Sequence, residues 1–501
     1  MTIVFNNVGF EWPDGQQIFK SINFSLETKI YGLIGPNGVG KTTLANLLLG
    51  DLDPTSGTIS KGSEVVHIFH QKETPPEISL SEYLMETNAF EESLLLSFLK
   101  NLSLEQTCSS LSGGEWARVR LVKTAASGAS FIILDEPTNH MDREGRDVIQ
   151  EFLNFFNGGV LIISHDREIL ERVDKIIELS NQGLSLFSGG WGEYSIWRER
   201  ERDKLGHDLE EAKKRKAASI EERQEKVEKQ QKRLAQGKKM GNSGSLPRIL
   251  AGGRKRRAQQ TMGDIDKNTM ERLNEAVNDA WDAFQKLKVD PVMFANLPQV
   301  EIPQGKLIVE ARDFNFHFDG QEDLWSNDLS FTFHGPARLA ITGANGSGKS
   351  TLLQLFLGKN LPGEKRGSLG FGSVEVGLID QHYSVLNHDE SVFDNVRSVT
   401  QMSDKDLRNA LAMFLFQGER VSQKVSELSG GEKLRASLAK VLLSEPVPQV
   451  LIMDEPTNNL DMPNIEFLES LLLEFNGALI VVSHDHVFLE NLDLTGIIDL
   501  S

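Results

Sequence analysis

Two stretches of this chain have the residue types and spacing to hold a polyphosphate. Gly35-Pro36-Asn37-Gly38-Val39-Gly40-Lys41-Thr42, followed by Thr43, sets three glycines ahead of a lysine and a hydroxyl. Gly343-Ala344-Asn345-Gly346-Ser347-Gly348-Lys349-Ser350, followed by Thr351, repeats the arrangement. Such glycines let backbone N–H groups turn inward onto phosphate oxygens, and a helix beginning nearby adds its positive end. Lys41 and Lys349 are then placed to reach the β- and γ-phosphates, and the hydroxyls of Thr42 and Ser350 to bind Mg²⁺.

Each loop is followed downstream by a pair of acids, Asp135-Glu136 and Asp454-Glu455. Asp135 and Asp454 suit a Mg²⁺ held through water, and Glu136 and Glu455 suit orientation and polarisation of an attacking water. Two adjacent acids at a strand end can also be ordinary surface residues, but their place after a phosphate loop favours the catalytic reading. Between loop and acids stand Leu111-Ser112-Gly113-Gly114-Glu115 and Leu428-Ser429-Gly430-Gly431-Glu432. A serine and two glycines opening a helix offer a hydroxyl and bare N–H groups to an anion. The same spacing, serine to glutamate over three residues, is also that of a capping box.

The elements needed to position these groups are legible around them. Ile30-Tyr31-Gly32-Leu33-Ile34 is an apolar strand feeding the first loop, and the expected helix runs from Thr43 to Leu49. Phe131-Ile132-Ile133-Leu134-Asp135-Glu136 reads as a buried strand ending in both carboxylates. Shorter alternating runs, Ile3-Val4-Phe5 and Ile22-Asn23-Phe24-Ser25-Leu26, flank the turn Pro13-Asp14-Gly15.

The order of these motifs resembles that of ABC ATPases, whose signature grips the γ-phosphate of a nucleotide held by the partner domain. The resemblance implies ATP and Mg²⁺ as ligands and adds several residues to each site. Gln71 and Gln381 become the switch glutamines beside the metal, Asp142 and Asp461 the aspartates after the acids, and His165 and His484 the γ-phosphate switch histidines. Trp12 and Phe318 stand where the adenine-stacking aromatic is found, a core aromatic being the alternative for Trp12. In both halves 30 positions separate the aspartate of the acidic pair from the histidine, Asp135 from His165 and Asp454 from His484. Two complete copies imply a head-to-tail pseudo-dimer within one chain, each site joining the phosphate loop of one half to the Ser112-Gly113-Gly114 or Ser429-Gly430-Gly431 signature of the other.

Residues 191–304 belong to neither copy. Trp191 to Gln236 is polar and rich in helix formers, with opposite charges four apart such as Glu225 and Lys229, and reads as one exposed helix despite Gly206. Gly237 to Met262 then holds Lys238, Lys239, Arg248, Arg254, Lys255, Arg256 and Arg257 with no Asp or Glu, and its glycines and Pro247 predict an irregular tip. Met270, Leu273, Val277, Trp281, Phe284 and Leu287 mark the apolar face of a returning helix that Asp290-Pro291 ends. Between Arg200 and Gln260 there are 19 Lys and Arg against 9 Asp and Glu, a net +10 in a chain of −19, which leaves −29 elsewhere. Positive charge gathered this way points to a polyanion, a solvated spacer being the plainer alternative.

The expected architecture is therefore α/β: a first ATP-binding domain over 1–190, a helical hairpin linker over 191–304 and a second ATP-binding domain over 305–501. Asp135-Glu136-Pro137-Thr138-Asn139-His140-Met141-Asp142 and Asp454-Glu455-Pro456-Thr457-Asn458-Asn459-Leu460-Asp461, together with the charged linker, resemble the ABC-F family. Its twin-ATPase members bind ribosomes and place the linker beside the P-site tRNA and the peptidyl-transferase centre. The seven basic residues at the tip are then the candidates for RNA contact.

Two departures from the family are visible. Only 39 residues separate Gln71 from Leu111, against 46 between Gln381 and Leu428, so the arm some members insert there is not expected. The sequence runs 17 residues past His484, so neither is a C-terminal coiled coil. At the sites themselves, Trp116 and Asn459 replace a usual polar residue and a common histidine.

The single cysteine, Cys108, excludes an internal disulfide, and neither a signal peptide nor a bilayer-long apolar run is seen, so the cytoplasm is expected. The resemblance implies a ribosome partner, with neither membrane nor DNA, for a monomer closed on itself. An antibiotic-protecting role on the ribosome is the alternative, and a paired ATP-binding subunit of a membrane importer a remote one.

Overall fold

The structure is a computed structural model. It describes residues 2–69, 74–85, 99, 102–126, 128–138, 141, 143–180, 183–242, 300, 302–458 and 460–500. Residues Met1–Gly192 and Val292–Ser501 form one compact unit, and the segment Glu193–Pro291 forms a second.

The first half begins with a long antiparallel hairpin, β1 (Thr2–Glu11) and β2 (Gln17–Glu27), whose turn contains Pro13, Asp14 and Gly15. With β4 (Ser56–Ser60) they form a three-stranded sheet in the order β2-β1-β4. A second sheet has the order β5-β6-β7-β3-β8-β9, from β3 (Ile30–Ile34), β5 (Val66–Phe69), β6 (Phe131–Asp135), β7 (Gly159–Ile163), β8 (Lys175–Ser180) and β9 (Gly183–Ser188). All its pairings are parallel except β8 with β9. The central strands read as unbroken apolar runs because a parallel sheet covered on both faces has no wet side. Ile132, Ile133 and Leu134 have no exposed surface at all. Burial of each such side chain contributes about 1.5–3 kcal/mol, and this clamps the strand end that carries Asp135.

Helices α1 (Lys41–Leu49), α2 (Leu80–Leu84), α3 (Gly113–Ala126), α4 (Arg143–Phe155) and α5 (Arg167–Leu170) accompany the sheets. Leu44, Ala45, Leu47 and Leu48 of α1 enter the core with Phe5, Phe19, Leu33 and Ile133. The first helix starts at Lys41, two residues before the expected Thr43, because Gly40 at φ +108° turns the chain directly into it. Strand β6 also stops one residue short of the expected end, at Asp135, and Glu136 leaves it at φ +45°.

The second half repeats the plan. Strands β10 (Leu307–Phe318), β11 (Leu329–His334) and β13 (Gly363–Phe371) make the antiparallel sheet, ordered β11-β10-β13. The parallel sheet runs β14-β15-β16-β12-β17, from β12 (Arg338–Thr342), β14 (Val376–Ile379), β15 (Val450–Asp454), β16 (Ala478–Val482) and β17 (Gly496–Asp499). Its helices are α7 (Lys349–Phe356), α8 (Val392–Arg397), α9 (Asp404–Met413), α10 (Gly430–Leu442), α11 (Met462–Glu474) and α12 (His486–Glu490). No helix among the described residues is long and apolar enough to cross a membrane.

Between the halves, α6 runs from Trp191 to Asn242, 52 residues or about 78 Å at ~1.5 Å per residue. We refer to it as the long helix. It continues six residues beyond Gln236, where the sequence predicts the irregular tip, so Lys238 and Lys239 are helical. Each residue added to a formed helix gains a hydrogen bond, and Lys238, Lys239 and Met240 are good formers, which offsets the ~1 kcal/mol costs of Gly237 and Gly241. Ion pairs such as Arg215–Glu211 at 3.1 Å lie along its exposed surface. Residues 243–299, with Arg248, Arg254, Lys255, Arg256, Arg257 and the expected returning helix, lie outside the described residues.

Candidate functional site

Each phosphate loop is shaped by three left-handed glycines: Gly35, Gly38 and Gly40 at φ +149°, +77° and +108°, and Gly343, Gly346 and Gly348 at +146°, +81° and +88°. A Cβ on Gly35 would sit 2.2 Å from the Leu179 carbonyl oxygen, and one on Gly40 2.5 Å from Ile18 Cγ2. Pro36, Asn37 and Val39, and Ala344, Asn345 and Ser347, fill the loops between them. Lys41, buried at the start of α1, donates from Nζ to the carbonyl oxygens of Gly35 (2.6 Å) and Pro36 (3.3 Å). Lys349 donates to those of Gly343 and Ala344, both at 2.8 Å. Burial holds the Lys41 ammonium below its ordinary range, opposed by Glu136, Asp461 and Asp135. Both lysines are thus aimed into their loops. Thr42 is exposed and Thr43 buried at the head of α1, and Thr351 is half-buried in α7.

The acids stand at the ends of β6 and β15. Asp454 accepts a hydrogen bond from the Ser350 hydroxyl, while burial, the larger influence, raises its carboxyl. A hydroxyl and a carboxylate side by side are the hard oxygen donors a Mg²⁺ ion takes, so these residues fit that ion. Glu136 and Glu455 each take a left-handed turn, at φ +45° and +48°, and their N–H groups donate to the carbonyls of Ile163 and Val482, both at 2.8 Å. A left-handed glutamate is uncommon, and its occurrence at the same place in both halves marks a conformation held by its surroundings.

Each of these glutamates faces a histidine. Glu136 Oε1 lies 3.4 Å from His165 Nε2, and Glu455 Oε1 lies 3.4 Å from His484 Nε2. Burial, reinforced by Asp135 and opposed by Lys41, pushes Glu136 up to about 8. Burial first, then Asp454 with Lys349 opposing, raises Glu455 to about 7. Burial and the Lys41 charge hold His165 well below the ordinary imidazole range, so its ring is neutral.

The signature serines form the capping boxes their spacing allows. Ser112 donates from N and Oγ to Glu115 Oε2 at 2.9 and 2.7 Å and accepts from the Glu115 N–H; Ser429 and Glu432 do the same at 3.0 and 2.8 Å. Gly113 and Gly114 open α3, and Gly430 and Gly431 open α10. Trp12, at 36% exposure, lies edge-on to the buried Phe10 with centroids 4.9 Å apart, so it is not a core aromatic. Phe318 is half-buried and edge-on to Phe316 at 5.0 Å. Gln381 lies two residues beyond the end of β14, after Asp380, and is exposed. Gln71 and Asp142 lie outside the described residues.

The halves meet at these groups. The Asn37 N–H donates to Asp461 Oδ2 at 2.7 Å, joining the first phosphate loop to the aspartate after the second pair of acids. Four contributors escape the sequence reading. Trp325 donates from Nε1 to the Ser347 carbonyl at 3.0 Å, bracing the second loop, and the buried Asn315 holds Trp325 through its backbone. Arg167 pairs with Glu469 across the halves. None belongs to a repeated motif, so only the folded chain reveals them.

Comparison with known proteins agrees with this geometry. The ABC transporter family model matches residues 19–139 and 326–458. Over 97% of its length the chain is 31% identical to the Ribosome protection protein VmlR of Bacillus subtilis, spanning 85% of that protein. It is 29% identical to the ATP-binding protein Uup of Caulobacter vibrioides, over 95% of this chain and 73% of Uup. Among solved structures, an archaeal ribosome recycling factor, aABCE1, shares the fold at TM-score 0.58 and 16% identity, over 97% of this chain and 86% of that one. With a phosphate loop, signature and acidic pair in each half, and relatives matched along nearly its whole length, the chain belongs to the ABC-F family of twin ABC ATPases and is an enzyme that binds and hydrolyses ATP.

Proposed function

We propose that the chain uses ATP at both sites to bind the ribosome and to act on translation through its interdomain linker, near the P-site tRNA and the peptidyl-transferase centre. The observation that carries the reading is the match to a ribosome protection protein over 97% of this chain and 85% of that protein. Domain limits of 1–190, 191–304 and 305–501, with a basic tip on the linker, are part of the proposal. A monomer whose halves close head to tail completes it.

In this reading Lys41 and Lys349 exchange loop carbonyls for phosphate oxygens, and the signatures of Ser112 and Ser429 close on the nucleotide held by the opposite half. Mg²⁺ bound beside Thr42, Gln71 and Asp135, or Ser350, Gln381 and Asp454, would supply neutralisation of phosphate charge. Glu136 and Glu455 orient the attacking water, and His165 and His484 hold the γ-phosphate side of each site. The matched 3.4 Å glutamate–histidine pairs support a chemical step at both sites.

Replacing Glu136 and Glu455 together by Gln is expected to lower turnover by about 10²–10⁴. That variant is expected to sediment with ribosomes in ATP and to stay in the supernatant in ADP. Wild-type turnover sinks the glutamate assignment, and sedimentation with membranes in place of ribosomes sinks the ribosome reading in favour of an importer subunit. A second reading, protection of the ribosome from an antibiotic, is favoured by the likeness to the Bacillus subtilis ribosome protection protein. Loss of the gene with no change in susceptibility to peptidyl-transferase inhibitors would remove it.

A further inference from the structure

Arg167 follows His165 and Asp166 and opens α5. Its side chain is buried, and all three guanidinium nitrogens meet partners from the second half. Nη1 and Nη2 donate to Glu469 Oε1 and Oε2 at 2.6 and 3.1 Å, and Nε points to Met462 Sδ at 3.4 Å. The guanidinium carbon lies 5.7 Å from the centre of the Trp191 ring, and Glu469 accepts a third bond from Asn491 Nδ2 at 3.1 Å. A bidentate fork of this kind fixes direction as well as distance. From its own half the same loop is held by Arg146, whose Nη1 lies 3.1 Å from Asp166 Oδ2.

Glu469 and Asp461 ride on a single element. Asp461 caps α11 by accepting from the Asn464 N–H at 3.2 Å, and Glu469 follows eight residues later, about 12 Å along the axis. One helix of the second half therefore grips the first half twice, at the phosphate loop through Asn37 and at the histidine loop through Arg167. The residue types needed for a bidentate fork occur in one direction only; in the other direction Arg146 of α4 reaches Glu455 and Asp485 by charge alone. The offset that aligns Asp135 with Asp454, 319 positions, pairs Arg167 with His486 and Glu469 with Gln150. Imidazole and amide cannot form a fork, and His486 is exposed.

We infer that α11 acts as a spacer that sets the distance between the phosphate loop and the His165 loop of the first ATP site, with Glu469 and Arg167 as positioning residues that the second site lacks. The two sites are then unequal: a fork from the opposite half braces the histidine loop of the first and not that of the second. This rests on the assignment of Glu136 and Glu455 made above.

The test isolates each site in the full-length protein. Glu455→Gln leaves the first site to hydrolyse and Glu136→Gln leaves the second, and single-turnover hydrolysis of bound ATP is followed in each. Adding Glu469→Gln is expected to lower the first-to-second rate ratio at least tenfold, and Arg167→Glu combined with Glu469→Arg to recover part of it. Where Glu469→Gln fails to fold, Arg167→Lys, which keeps the charge and loses the fork, is measured instead and is expected to move the ratio the same way. An equal decrease at both sites, no decrease, or a decrease confined to the second site overturns the proposal. Wild-type hydrolysis by Glu136→Gln/Glu455→Gln would identify the glutamate assignment as the failure, and the proposal would fall with it.

Discussion

A tryptophan two positions from a buried phenylalanine, on a turn, has little to do for stability. Trp12 makes its own tight turn, accepting from the Gly15 N–H and donating to the Gln16 carbonyl, while Phe10 takes the core position. An aromatic stack is worth on the order of 1 kcal/mol, so Trp12→Ala is expected to weaken ATP binding several-fold with the unfolding midpoint unmoved. Titration with a fluorescent ATP analogue and a denaturant melt decide this; unchanged affinity removes the stacking role. Trp12 is a candidate through the family resemblance alone, whereas the loop lysines and the paired acids were legible from type and spacing: a lysine after glycines, an acid after an apolar run. The left-handed turn of Glu136 was not, since the sequence pattern shows the acid and hides its backbone. Arg167 and Glu469 were hidden for a different reason. They stand 302 positions apart, and no local pattern links them.

Among the elements, parallel strands were the most readable, because burial on both faces forces unbroken apolar runs such as Phe131 to Leu134. Boundaries were less so: the helix after the first loop starts at Lys41, and the long helix passes two glycines before Asn242. Both shifts come from backbone preferences that side-chain pattern does not record. The glycines of the first loop give a direct test of those preferences. Gly35 at φ +149° has a backbone oxygen 2.2 Å from where a Cβ would be, whereas Gly38 at φ +77° faces open space. Gly38→Ala is expected to cost about 1–2 kcal/mol for the left-handed backbone alone. Gly35→Ala adds a clash with the Leu179 carbonyl and is expected to cost more. Denaturant unfolding of the two nucleotide-free variants measures the difference; equal costs would show that the β8–loop contact yields freely.

For the whole molecule, charge is the feature that sequence states and fold does not alter. The window 200–260 carries +10 in a chain of −19. If the linker touches RNA, replacing Arg254, Lys255, Arg256 and Arg257 by Gln is expected to flatten the log–log salt dependence of ribosome binding by roughly 0.7–0.9 for each phosphate no longer neutralised. ATP binding is expected to remain as in the parent. The measurement belongs in the Glu136→Gln/Glu455→Gln background, where the ATP-bound complex persists, and an unaltered slope and affinity reduce the segment to a solvated spacer.

The one-sided Arg167–Glu469 contact has a consequence in symmetry. An assembly of two identical chains about a two-fold axis must make every interface contact twice, so its two sites start out the same. Fusing the halves removes that obligation, and a substitution at position 486 or 150 no longer brings a matching change at 167 or 469. Fusion also makes closure unimolecular, with an effective concentration set by the tether, so dilution cannot separate the halves. A chain built this way is free to let its two nucleotide sites diverge, one tending toward a persistent joint and the other toward a gate, without losing the encounter between them.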